Sequence, residues 1–266
     1  MRRPKSRAAL LAGVLALSAC GGARQLPGED PPAPTPEEEA ELTGDLSVQL
    51  AQTLIEAGAH QNAVPLLRGA LARDPKDPRL HYLMATVLRD RGLYRKAEEE
   101  YALSLALSPT LAPAFAGQAV LRDLQGRHDE AKGLHDRAIE LSPDVPRYRN
   151  NLGFSRFLAG DLPGAIAAYE DALRLEPNAP TVYNNLGFAL ASAGRDTEAL
   201  RMFRQALDEG SALNNLALAH ELRGDPSSAR RMYQEALLTD PSLRQALVNL
   251  DALDRGGVTS PPEVPE

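Results

Sequence analysis

Residues Tyr148–Thr181 read YRNNLGFSRFLAGDLPGAIAAYEDALRLEPNAPT, and much of this text returns 34 positions later, with Asn184-Asn185-Leu186-Gly187 standing where Asn150-Asn151-Leu152-Gly153 stood. Working outward, Gly160 belongs to a column with Gly58, Gly92, Gly126 and Gly194, and Ala165 to one with Ala63, Ala97, Ala131 and Ala199. Pro177 shares its column with Pro75, Pro109 and Pro143. The last copy comes early: Gly224 and Ala229 follow after 30 residues, and the proline column skips one unit before resuming at Pro241. Self-similarity at a fixed period of this length marks a repeat protein in which one small supersecondary unit is stacked on its neighbours.

Each unit reads as two helices. In 80–113, Tyr82, Leu83, Ala85, Val87 and Leu88 give the first an apolar face, Arg91-Gly92 turns the chain, and Ala97, Tyr101 and Leu105 line the second. Both sets have helical spacing. A small residue recurs at Ala85, Ala119, Gly153, Gly187 and Ala217, where a larger side chain would hold two helices apart, and Tyr101, Tyr169, Phe203 and Tyr233 supply the bulk that fills the gap. These columns resemble the tetratricopeptide repeat over residues 45–255. The resemblance implies an all-α fold, a right-handed α-solenoid of about six helix pairs (46–79, 80–113, 114–147, 148–181, 182–210 and 211–244) closed by a capping helix near 245–254.

Two units depart from the pattern. The first has Ser47 where a bulky residue is usual and Pro65 early in its second helix, which predicts a kink or fraying because proline lacks the N–H. The fifth is four residues short, about one helical turn, so the apolar faces keep their bearing. Gly210 is expected to stop one helix and Ser211 to cap the next; a hinge at this joint is the alternative.

The chain ends predict a location. Met1–Arg7 carries four cations, Ala8–Ala19 carries no charge, and the only cysteine, Cys20, follows Leu17-Ser18-Ala19. The charged start and short apolar run read as a secretory signal over 1–19. Leu17-Ser18-Ala19-Cys20 resembles the lipobox of bacterial lipoproteins, which implies cleavage before Cys20, acylation of its thiol with a fatty acid such as palmitate, and a lipid anchor. Gly21-Gly22 in place of an Asp after the cysteine implies the outer membrane, at its periplasmic face. Residues 20–41, rich in Pro and Glu, are read as a disordered tether reaching on the order of 60 to 70 Å. Thr35-Pro36-Glu37-Glu38 has the form of a helix start. The domain reading is completed by the repeat domain at 42–255 and a loose tail at 256–266.

The net charge of −7 becomes −11 once the signal is removed, and no Lys/Arg stripe remains to neutralise phosphates, which excludes a nucleic-acid role. No phosphate-binding glycine loop follows a strand, and no strand is expected. The five histidines, His60, His81, His128, His135 and His220, fall in repeat columns and read as structural filling. No catalytic residue, metal site or cofactor is assigned, and no enzymatic activity is expected.

What remains is the concave groove, lined in this family by the first helix of each pair. The resemblance places Tyr82, Thr86 and Arg89 there in unit two, Asn150, Phe154 and Phe157 in unit four, Asn184 and Phe188 in unit five, and Asn214, Leu218 and Glu221 in unit six. A carboxamide both donates and accepts, so Asn150, Asn184 and Asn214 suit an extended peptide backbone. Asn151, Asn185 and Asn215 are read as ties between neighbouring repeats.

A repeat lipoprotein of this kind resembles the TadD-like lipoproteins of tight-adherence (Flp) pilus assembly and, second, the PilF/PilW-type pilotins. The resemblance implies an assembly factor for a pilus or secretion machine, with a secretin or another assembly component as partner. An envelope adaptor that docks peptidoglycan hydrolases or proteases is the alternative.

Overall fold

The computed structural model describes residues 44–256. The signal, Cys20, the tether, the helix start at Thr35 and the tail beyond Gly256 lie outside them. Thirteen helices and no strand occur among the described residues: α1 Gly44–Glu56, α2 His60–Arg73, α3 Pro78–Asp90, α4 Tyr94–Leu107, α5 Ala112–Leu124, α6 His128–Leu141, α7 Pro146–Leu158, α8 Leu162–Leu175, α9 Pro180–Ser192, α10 Asp196–Ala206, α11 Glu209–Arg223, α12 Pro226–Thr239 and α13 Arg244–Asp254. The all-helical repeat architecture is the expected one. Contacts divide the chain within α7, between Tyr148 and Arg149, and the two units are described separately.

The turn column is glycine for a conformational reason. Gly160 and Gly194 stand at φ 81° and 78°, a left-handed region that side chains with a Cβ resist, so the chain reverses tightly between the two helices of a pair. Proline opens α3, α7, α9 and α12, where its absent N–H is one the helix does not use.

In the unit of residues 44–148, Leu66, Leu67, Leu80, Leu83 and Val87 form one buried cluster. Tyr101 forms a second with Ala85, Ala97 and Leu121, and Tyr148 a third with Ala112, Ala116 and Ala138. Full burial of side chains this size contributes about 1.5 to 3 kcal/mol each, ahead of the entropy lost on ordering. The departures in the first repeat are absorbed. Ser47 is buried and its hydroxyl accepts from Arg73 Nη2 at 3.1 Å. The helix α2 runs unbroken through Pro65, so the fraying expected there does not occur. Pro65 is the sixth residue of this helix, so a single bond to the Gln61 carbonyl is forgone, while the neighbouring Leu66 and Leu67 are fully buried and hold the helix against the core.

In the unit of residues 149–256, Tyr169 and Phe203 bury their rings against glycines. A Cβ on Gly153 would stand 2.7 Å from Tyr169 Cδ1, and one on Gly187 would stand 2.6 Å from Phe203 Cε1. Phe203 also meets Phe188 edge to face at 5.0 Å. Tyr233 closes the C-terminal end among Ala217, Ala229, Ala236 and Ala246.

The short fifth repeat corrects one expectation. The second helix is trimmed, as α10 has 11 residues where α8 has 14. Gly210, however, does not end it and Ser211 does not cap the next. The connection is Leu207-Asp208 alone, α11 starts at Glu209, and Gly210 and Ser211 sit in its first turn. Asp208 is the cap: its Oδ1 accepts from Ser211 N–H at 2.9 Å and its Oδ2 from the Ser211 hydroxyl at 2.9 Å. A carboxylate facing the positive end of a helix satisfies an orphan donor more strongly than a serine would.

Candidate functional site

The residues proposed as partner contacts occupy three first-helix columns that recur along the chain, one carrying Tyr82, Asn150, Asn184 and Asn214, the next Thr86, Phe154, Phe188 and Leu218, and the third Arg89, Phe157 and Glu221. In the second unit the first column is a hydrogen-bonded ladder. Asn185 Nδ2 donates to Asn150 Oδ1 at 3.0 Å, Asn215 Nδ2 to Asn184 Oδ1 at 2.8 Å, and Asn249 Nδ2 to Asn214 Oδ1 at 3.1 Å. Each rung therefore runs from the second asparagine of one repeat to the first asparagine of the repeat before it. The three first asparagines are each only 6% exposed.

This arrangement changes what the column can do. The expectation is a set of carboxamides free both to donate and to accept, but the side-chain oxygens of Asn150, Asn184 and Asn214 each already accept a bond from the next repeat. Asn214 Nδ2 is also engaged, with Asn215 Oδ1 at 3.3 Å. What Asn150 retains toward solvent is its donor, Nδ2. The tying role read for Asn185 and Asn215 is seen directly, and Asn249 joins them. That residue was missed, although Val248-Asn249-Leu250 repeats the motif 34 places after Asn214-Asn215-Leu216. Val248, standing where the next acceptor would be, is 53% exposed and leaves the ladder without a further rung.

The apolar members split. Phe154 is half-buried against the edge of the core and presents part of its ring. Phe157 and Leu218 are buried. Phe188, expected to face the groove, is 1% exposed and belongs to the core, because the edge-to-face contact with Phe203 and the missing side chain at Gly187 draw it inward. In the first unit Tyr82 is half-buried, with its ring 6.4 Å from that of Tyr101.

A second relation joins residues 12 apart, the end of each first helix and the aromatic column of the second. Tyr101 OH lies 3.3 Å from both Thr86 Oγ1 and Arg89 Nη1. Burial pushes the Tyr101 phenol up to about 12, with Arg89 pulling against it. Tyr233 OH donates to Glu221 Oε2 at 3.2 Å. In the third repeat the pair is Asp123 and His135, with His135 Nε2 and His128 Nδ1 each 2.9 Å from one of the Asp123 carboxylate oxygens. His128 and His135 thus converge on a buried acid, and among the described residues no group of three or more His, Cys, Asp and Glu side chains is arranged to hold a metal ion. In the fourth repeat the position facing the tyrosine is Phe157, and the buried Tyr169 hydroxyl has no partner. Reading pairs at a spacing of 12 would have exposed this relation.

Tetratricopeptide-repeat families match the chain at residues 54–119, 181–208 and 210–239, and a family described as TPR repeat matches 155–194. A curated relative, the protein O-mannosyl-transferase TMTC1 of Mus musculus, is 32% identical over 97 residues, 35% of this chain and 10% of that protein. The chain thus matches only about a tenth of the length of this relative. Among solved structures, PilF of Pseudomonas aeruginosa superimposes with a TM-score of 0.59 at 22% identity, covering 77% of this chain and 95% of that one. PilW, described as a widely conserved type IV pilus biogenesis factor, gives 0.64 at 19% identity, covering 78% and 98%.

Proposed function

Because the chain is a tetratricopeptide-repeat protein, a fold that binds protein or peptide partners, we propose that it is a non-catalytic scaffold, held at the outer membrane by lipidated Cys20, that assists assembly of a pilus or secretion machine. The TadD-like resemblance and the likeness in fold to the pilus proteins PilF and PilW support the assembly role. The observation that carries the binding role is the pairing of Asn150 and Phe154 on one first helix, a carboxamide donor beside a partly exposed ring. An extended segment there gives a carbonyl to Asn150 Nδ2 and packs an apolar side chain on Phe154. The remaining groove residues, Asn184, Asn214, Phe157, Phe188 and Leu218, hold that surface in shape. A secretin or another component of the machine is the proposed partner.

A photo-crosslinking side chain at position 154 tests this in cells, with position 238 as a control, since Leu238 is 84% exposed and far along the sequence. Adducts with pilus or secretion-channel proteins specific to position 154 are expected. Specific adducts with wall hydrolases or proteases would support the adaptor reading instead, and equal labelling from both positions would remove the site. For the anchor, Cys20→Ser is expected to leave the outer-membrane fraction; unchanged processing and fractionation would refute lipidation.

A further inference from the structure

Helix α4 carries an apolar strip on its outward side. Leu103 and Leu107 are 49% and 40% exposed, and Ala102 and Ala106 beside them are exposed as well. At the position of Leu103 the other second helices carry Gly69 on α2, Arg137 on α6, Asp171 on α8, Gln205 on α10 and Glu235 on α12. Packing holds the strip outward. On the opposite side Ala97 and Tyr101 are fully buried, and the Ser104 hydroxyl donates to the Pro78 carbonyl at 2.7 Å, so α4 has no freedom to turn its leucines in. Cations stand beside the strip: Arg95 and Lys96 are exposed in the first turn of α4, and Arg68, in the column of Ala102, is exposed on α2. A first turn with cations opposes the helix dipole, and α6 and α10 have acids there, so helix stability does not account for Arg95 and Lys96. Arg68 and Lys96 border one open depression with Leu71, Ala72 and Leu88. Its two acids have partners, Glu99 Oε1 lying 3.9 Å from Arg95 Nε and Glu100 Oε2 2.6 Å from His81 Nδ1.

We propose that this strip is a membrane-contact surface, on which the unit of residues 44–148 rests against an anionic phospholipid bilayer. The bilayer itself comes from the reading of Cys20 as a lipid anchor, on which this contact rests: α1 begins 24 residues after Cys20, so an anchored chain holds the strip within reach of the lipid. Leu103 and Leu107 enter the boundary between headgroups and acyl chains while Arg68, Arg95 and Lys96 stay among the phosphates, the arrangement of a helix that lies in the interface. A protein partner would demand more. A stable interface takes roughly 800 Å² a side, and would have to cover the charged second helices of the adjacent repeats, at Arg73, Arg137 and Glu140, along with the strip. A surface already tethered needs only the strip.

The chain contains no tryptophan, so a single one reports its own surroundings. The test mixes the full chain, as the cell processes it, with vesicles of phosphatidylethanolamine and phosphatidylglycerol, with and without bromine on the acyl chains. It carries Leu103→Trp, or Leu238→Trp as an exposed control in the other unit. Leu103→Trp emission is expected to shift to shorter wavelength and to be quenched by the brominated chains, and Leu238→Trp emission to do neither. Adding Leu107→Glu to Leu103→Trp is expected to abolish both effects, with unchanged melting temperatures establishing that the variants fold. Adding Cys20→Ser leaves the contact to the strip and is expected to raise the lipid needed for quenching about a hundredfold or more. In that background Lys96→Gln is expected to raise it about fivefold further. An equal lipid requirement with and without Cys20→Ser, quenching of Leu103→Trp being kept, would refute the anchor and uphold the surface. No quenching of Leu103→Trp, equal quenching of Leu238→Trp, or quenching that survives Leu107→Glu would overturn the proposal. So would a shift to shorter wavelength without quenching, which would mean that protein, a second copy of the chain included, covers the strip.

Discussion

Asn185 donates its carboxamide N–H to Asn150 across 35 positions of sequence, so the second asparagine of one repeat is held by the first asparagine of the repeat before. The bond is buried, and Asn185 Oδ1 beside it has no partner. An interface that relies on such a bond is more sensitive to losing one member than to losing apolar contact of the same area, because a buried polar atom left alone pays its full desolvation.

The two asparagines are therefore predicted to be unequal. Asn150→Ala leaves the Asn185 side chain with neither donor nor acceptor satisfied and is expected to cost about 1 to 3 kcal/mol. Asn185→Ala also strands Asn150 Oδ1, but it removes the orphan Oδ1 as well, and it is expected to cost less. Urea denaturation of both variants checks the order; a larger loss for Asn185→Ala would mean that the rung contributes little.

Close packing at Gly187 leads to a second expectation. A methyl there meets the Phe203 ring, which is itself wedged against Phe188 and has no free direction in which to move. Gly187→Ala is expected to cost about 1 to 3 kcal/mol despite the better helix propensity of alanine. Combined with Phe203→Leu, which destabilises by itself, the loss should be less than the sum. Strict additivity in a double-mutant cycle would show that the two positions do not compete for space. Ala199→Leu, at a fully buried site on α10, is likewise expected to cost about 1 to 3 kcal/mol.

The cap of α11 is tested by comparing two adjacent changes. Asp208→Ala is expected to cost about 0.5 to 2 kcal/mol and Ser211→Ala less, since only the first removes the acceptor of a backbone N–H. The Asp208 carboxyl is held below its usual value of 3.8 chiefly by the Ser211 backbone N–H. Its contribution is therefore fully present above the unfolded value and is lost as pH falls through the lower folded value. The stability gap between wild type and Asp208→Ala should narrow on acidification below about pH 4; a gap independent of pH would mean that the charge is not what caps the helix.

The sequence alone determined the helix pairs, their register and the glycine turns inside each pair, because each depends on local properties that recur every 34 residues: apolar spacing along one helix, a glycine free to take a positive φ, a small residue facing a large one; the connection at the shortened fifth repeat, where that recurrence breaks, it did not. Only the tertiary structure decided what the polar columns do. Whether Asn150 offers its oxygen to a partner or spends it on Asn185 depends on which side chain the neighbouring repeat brings within 3 Å, and a motif read within one repeat does not contain that distance. Phe188 went inward for the same reason, since its surroundings are set by Phe203 on the next helix.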